Sequence, residues 1–263
     1  MEAQINDIRL YYRTQGQGVP VLLVHGFPLS GEVWQEQIEA LHGTVQVIVP
    51  DLRGFGRSDV PDGPSRMETF ADDLSRLLDT LHINQVVIGG VSMGGYITFA
   101  FLRHHHERVR GLIFANTRAT PDTDEARTNR ETTAQLVEAQ GAGVIADTML
   151  PKLLAPSEAR SSDRHTFLRS LIERNSPRGI AAALRGMALR PDSSDLLPHI
   201  QVPTLIIAGD QDVMTPPAEM QHLHAAIPGS RLVELAGAGH VSNIDQPEGF
   251  NAALRDFLSR ISA

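Results

Sequence analysis

Apolar, β-branched runs recur along this chain, with segments of helical period between them. Ile8–Tyr12 alternates apolar and polar positions, which predicts a half-buried edge strand. Val19–Val24 is a nearly continuous apolar run, with Pro20 at its start, where a missing N–H is tolerated. Val45–Val49, Val86–Ile88, Val109–Phe114, Thr204–Ala208 and Leu232–Leu235 are runs of the same kind. Such runs suit strands covered on both faces of a sheet. Helical patterns fill the intervals at Glu32–Leu41, Met67–Leu81, Tyr96–Arg103, Pro217–Ala226 and Pro247–Ile261. Within Met67–Leu81, residues Phe70, Leu74, Leu77, Leu78 and Leu81 share one face. The alternation predicts an α/β fold with a mostly parallel central sheet flanked by helices.

One segment breaks the rhythm. From Thr120 to Pro191 no strand run occurs, and helical patches fall near Arg127–Glu138, Val144–Leu150, Ser162–Arg174 and Ile180–Ala188. Pro151, Pro156 and Pro177 punctuate it. The expectation is a core of residues 1–119 and 192–263, with residues 120–191 inserted between two core strands as a helical cap. An insertion at that end of a sheet covers the crevice where α/β sheets bind ligands.

Composition narrows the class. The chain has 263 residues, enough for one large α/β domain, and 41% of them are hydrophobic. Its formal net charge of −8 leaves no basic surplus for nucleic-acid phosphates. There is no cysteine, which excludes disulfides, thiolate catalysis and zinc–thiolate sites. The first residues lack a basic and then apolar signal segment, and no apolar run is long enough to span a bilayer. A cytoplasmic protein, monomer or homodimer, is expected.

The most informative residues are Gly90-Val91-Ser92-Met93-Gly94, which follow an apolar run and precede a helical stretch. A strand, a sharp turn carrying a serine between glycines, then a helix is the layout of a nucleophile elbow. A serine hydroxyl needs a base within hydrogen-bond reach, and the base needs an orienting acid. Along the chain such an elbow is followed by the acid and then the histidine.

His240, in Ala236-Gly237-Ala238-Gly239-His240 after the last strand run, fits the base. His104, His105 and His106 point in different directions at a helix end and are expected to be solvated. His222 and His224 are expected on a helix surface, and His25 as a buried structural histidine. Asp210 and Asp212 both follow Thr204–Ala208. Asp212 lies beyond the turn and is assigned as the acid, while Asp210 is expected to cap that turn. Asn116 cannot ionise, so it is closed as an acid position. Two backbone donors are expected to hold an oxyanion, the N–H groups of Met93 and of Phe27 in His25-Gly26-Phe27-Pro28.

These motifs, with Asp51-Leu52-Arg53-Gly54-Phe55-Gly56-Arg57-Ser58 and Gly209-Asp210-Gln211-Asp212, resemble the landmarks of the α/β-hydrolase superfamily in order. Ala115–Ala119 and Arg190–Leu197 add a likeness to small bacterial carboxylesterases. Gly237–Leu258 is similar to 3-oxoadipate enol-lactonases and cofactor-free perhydrolases. Ser92 argues against families whose nucleophile is Asp or Cys. The resemblance implies a serine carboxylesterase that hydrolyses short to medium acyl esters through an acyl-enzyme, without metal or organic cofactor, and without nucleic-acid or membrane partners. Phe27, Leu29, Trp34, Met93, Met149, Leu153, Met214 and Val241 are candidates for an apolar pocket, and Arg118 is the candidate partner for an anionic lactone. A ligand-binding receptor of the same fold is the non-enzyme alternative.

Overall fold

The chain begins with two antiparallel strands, β1 (Glu2–Ile5) and β2 (Ile8–Gln15), joined at Asn6 and Asp7. In this computed structural model, residues 1–156 and 162–262 are described. Strand β3 (Pro20–Val24), helix α1 (Gln35–Leu41), β4 (Gln46–Pro50), α2 (Met67–Thr80), β5 (Val86–Val91), α3 (Met93–His104) and β6 (Val109–Ala115) follow. Four helices come next: α4 (Asp124–Gln140), α5 (Gly143–Leu153), α6 (Ser162–Glu173) and α7 (Pro177–Ala188). The chain then returns to the sheet through β7 (Thr204–Gly209), α8 (Pro217–Ala226), β8 (Arg231–Leu235), α9 (Ser242–Asp245) and α10 (Pro247–Ser262).

The strands form one sheet in the order β1-β2-β4-β3-β5-β6-β7-β8. From β4 to β8 all pairings are parallel. Every residue of β5 and β7 is buried, as strands covered by helices on both faces require. Helix α2 buries Phe70, Leu74, Leu77 and Leu78 together, the face its periodicity predicts, and Leu81 caps it half-buried. Strand β3 has β4 on one side and β5 on the other, so the chain reverses its direction of winding there. The loops leaving β3 and β5 therefore open a crevice at the C-terminal edge, where α/β sheets bind ligands.

Ile8–Tyr12 is not at the edge. It lies in β2, paired on one side with β4 through Tyr12–Gln15 and on the other with β1, which forms the edge. Glu2–Ile5 carries two apolar residues, too short a pattern to announce a strand without its partner.

Helices α4–α7 lie between β6 and β7, within the expected insertion at 120–191; residues 157–161 of that span lie outside the described residues. Helix α4 packs on α7, where Arg185 pairs with both Glu131 and Glu138. Asp122, at the start of the insertion, is bound by Arg130 and Arg190. Burial alone would raise the Asp122 pKa, but these two guanidinium groups hold the carboxyl below the usual range. Among the described residues, no helix is long and apolar enough to cross a membrane.

Candidate active site

Ser92 stands between the last residue of β5 and the first of α3, with φ 57° and ψ −115°. A non-glycine residue at positive φ is strained and is held by its surroundings. Here the Ser92 N–H donates to the Ala115 carbonyl at 3.0 Å, and Thr117 Oγ1 donates to the Ser92 carbonyl at 2.8 Å. The flanking glycines let helix and strands close on the turn. A Cβ on Gly94 would lie 2.3 Å from the Val24 carbonyl oxygen, and one on Gly90 would lie 2.8 Å from the Gly94 Cα. From Val86 to Phe101 every residue is buried except Ser92. The spacing of the pentapeptide thus has a steric cause, and its result is one accessible hydroxyl at a sheet edge.

Asp212 and His240 meet across two loops. Asp212 Oδ2 accepts from His240 Nδ1 at 2.8 Å, and both side chains are buried. The carboxylate is bound on every side. Oδ1 accepts the N–H groups of Met214 and Thr215 at 2.7 and 3.0 Å. Oδ2 also accepts from Thr215 Oγ1 at 2.7 Å and from Asn116 Nδ2 at 2.9 Å. Burial opposes ionisation here, but the hydrogen bonds from His240 and Thr215 outweigh it and lower the Asp212 pKa. An ionised Asp212 fixes the proton of His240 on Nδ1 and leaves Nε2 as the basic nitrogen. His240 Nε2 is buried and has no hydrogen-bond partner among the described residues.

The loop carrying His240 is tied to the insertion. The residue before the histidine, Gly239, donates its N–H to Asp245 Oδ2 at 2.7 Å, and Ala155 donates to the same oxygen at 2.8 Å. The residue after it, Val241, donates to the Leu153 carbonyl at 2.9 Å.

Ser92, His240 and Phe27 all line one cavity of about 350 Å³. Helices α4 and α5 form its far wall, with Leu136, Val144 and Met149 among the lining residues. The Met93 amide begins α3, where the helix dipole favours negative charge. The Phe27 amide belongs to the loop leaving β3, beside the elbow in the sheet order.

The remaining candidates fall in several places. His25 is fully buried; its Nε2 accepts from the Leu52 N–H at 3.1 Å and its Nδ1 donates to the Gly26 carbonyl at 3.0 Å. His105 pairs with Asp72, and His222 and His224 are exposed. Among the described residues no group of His, Asp or Glu is placed to hold a metal ion. Asp210 does not cap its own turn; it accepts the Gly237 N–H at 2.8 Å and so braces the loop that leads to His240. Of the apolar candidates, Phe27, Met149 and Met214 line the cavity, whereas Leu29, Trp34, Met93, Leu153 and Val241 are buried in the core.

Two features lie outside the sequence-based expectations. Asn116 and Thr215 both donate to Asp212, and Arg130 and Lys152 join Arg118 in the cavity wall. Asn116, at φ 45°, is the residue that leaves β6, and its type does carry a signal, because asparagine tolerates left-handed backbone.

The sequence model described as alpha/beta hydrolase fold matches residues 19–247. The chain belongs to that family. Among curated relatives, the protein named 3-oxoadipate enol-lactonase 2 of Acinetobacter baylyi is 34% identical over 259 residues, covering 97% of this chain and 95% of that one. Among solved structures, a thermophilic esterase from Thermogutta terrifontis with malate bound superposes with a TM-score of 0.98 at 43% identity, covering 100% of both chains. The enol-lactonase from Burkholderia xenovorans gives a TM-score of 0.91 at 30% identity, over 98% of this chain and 100% of that one. Membership of this α/β-hydrolase family, with esterase and enol-lactonase neighbours, supports a hydrolase.

Proposed function

We propose that this α/β-hydrolase is a serine carboxylesterase acting on short to medium acyl esters through an acyl-enzyme. The observation that carries the reading is the Asp212–His240 hydrogen bond of 2.8 Å through Nδ1, on a histidine that lines the same cavity as Ser92 and whose Nε2 has no partner among the described residues. In this reading Ser92 Oγ attacks the ester carbonyl and its proton passes to His240 Nε2. Asp212 stabilises the imidazolium that forms. The N–H groups of Phe27 and Met93 receive the oxyanion, and one such donor is worth about 3–4 kcal/mol in the transition state. The imidazolium then protonates the departing alcohol. A water molecule, deprotonated by the same histidine, attacks the acyl-enzyme, and the acid leaves as Ser92 regains its proton. Helices α4–α7 act as the lid that shields these steps from bulk water.

Hydrolysis of an enol-lactone is the second reading, because it needs the same groups and two of the relatives above carry that name. The two differ in leaving group: a lactone keeps its alcohol tethered within the acyl-enzyme. The test is p-nitrophenyl butyrate hydrolysis by purified protein, with Ser92→Ala as the blank. Turnover by wild type and its loss in Ser92→Ala are expected; equal rates in the two would overturn the assignment.

A further inference from the structure

The charge of the cavity is opposite to the charge of the chain. The protein carries a formal net charge of −8, yet among the described residues its active-site cavity is lined by Arg118, Arg130 and Lys152 and by no Asp or Glu. The three cations are not equally satisfied. Arg130 is ion-paired with Asp122, whose carboxylate it shares with Arg190. Among the described residues Arg118 has only a neutral acceptor, the Met214 carbonyl at 2.6 Å from Nη2, and its buried Nε has none. Lys152 is exposed at the end of α5 and has no ion pair among the described residues.

A half-buried guanidinium with a single neutral acceptor and an orphaned N–H is costly to maintain. A carboxylate placed against it removes that cost and forms the strongest class of side-chain hydrogen bond, often two in parallel. A neutral alkyl ester would leave the requirement unmet. The apolar side chains that share this lining, Leu136, Val144 and Met149 among them, suit a short hydrocarbon spacer. An exposed lysine at the mouth of the same cavity adds a field that draws anions inward, against the repulsion of the overall negative charge.

We propose that the preferred substrate is an ester that itself bears a carboxylate, which Arg118 receives inside the cavity and Lys152 steers toward it. This rests on the serine-hydrolase reading above, and the chemistry of Ser92 and His240 is unchanged by it. The carboxylate belongs either to the acyl part, as in a half-ester of a short dicarboxylic acid, or to the alcohol part, as in an acylated hydroxy acid.

The test compares kcat/KM for monoethyl glutarate and O-butyrylglycolate, one for each placement of the charge, with that for neutral ethyl pentanoate, in wild type, Arg118→Met and Lys152→Met. Wild type is expected to favour one of the charged esters by at least about tenfold, the scale of one charge-assisted hydrogen bond. Arg118→Met is expected to bring that ratio to about one or below. Lys152→Met, at an exposed position that cannot disturb the fold, is expected to lower the ratio and flatten its dependence on ionic strength. Preference for the neutral ester in wild type, or a ratio unchanged in Arg118→Met, would overturn the proposal. If no ester is hydrolysed, the hydrolase reading fails and calorimetric binding of glutarate decides the anion site alone. Binding weakened at least tenfold in Arg118→Met supports it, and absent or unaltered binding refutes it.

Discussion

Asn116 Nδ2 donates to Asp212 Oδ2 at 2.9 Å, while Asn116 Oδ1 accepts from Ser242 Oγ at 2.6 Å. One amide thus joins the loop after β6, the loop after β7 and the segment that follows His240. The position that cannot ionise holds the carboxylate that does. A charged group accepting from a neutral amide gains about 1.5–3 kcal/mol from that bond. Asn116→Ala is expected to lose about 2 kcal/mol in urea unfolding and to lower kcat about tenfold, with KM for p-nitrophenyl butyrate little changed. Asn116→Asp is expected to be worse, because two adjacent carboxylates cannot both stay ionised. Full activity in Asn116→Asp would show that the amide does not position Asp212.

The elbow sets a steric prediction. A Cβ on Gly94 meets the Val24 carbonyl oxygen at 2.3 Å, so Gly94→Ala forces helix α3 away from β3. Overpacking of this kind costs about 1–3 kcal/mol. Among the described residues nothing lies within 4 Å of a Cβ on Gly43, and Gly43→Ala is expected to fall within about 0.5 kcal/mol of wild type. Chemical denaturation of both variants checks the pair; equal stabilities would contradict the close packing at the elbow.

Buried His25 predicts a pH dependence of stability. Burial lowers its pKa from the ordinary value of 6.5, and the Gly26 carbonyl and Asp51 oppose that shift only in part. Below about pH 6.5 the unfolded chain therefore binds a proton at this residue that the folded protein refuses. Stability is fully present above that pH and is lost as pH falls toward the folded value, with a slope approaching about 1.4 kcal/mol per unit. Urea unfolding at pH 7.5, 6.5 and 5.5 is expected to show a shallower decline in His25→Gln than in wild type. Parallel declines would refute the assignment.

What was legible in the chain divides along a physical line. Gly90–Gly94 could be read because its spacing has a local cause, the crossing of a strand and a helix at one serine. Asp212 and His240 could be nominated because each leaves a strand whose apolar run marks the sheet edge. Asn116 escaped notice as a partner of Asp212, since the loops after β6 and β7 must converge before that hydrogen bond exists, whereas Thr215, three residues beyond Asp212, is a local partner whose spacing could have been read. Arg130 and Lys152 escaped for a related reason. Which face of α4 or α5 meets the cavity depends on how the inserted helices pack, and their own periodicity is weak in apolar residues. Strand β1 was hidden by its length, because two apolar residues at an edge do not make a pattern.

The central claim is that Ser92 is the nucleophile and His240 its base. Intact-mass analysis after treatment with diethyl p-nitrophenyl phosphate tests it most directly, because the reagent traps an attacking serine as a stable phosphoryl ester. The account predicts one diethylphosphoryl group on the wild-type protein, mapped by peptide fragmentation to Ser92, with ester hydrolysis lost in step. It predicts much slower labelling of His240→Ala and none of Ser92→Ala. A label on another residue, or full ester turnover by Ser92→Ala, would contradict it.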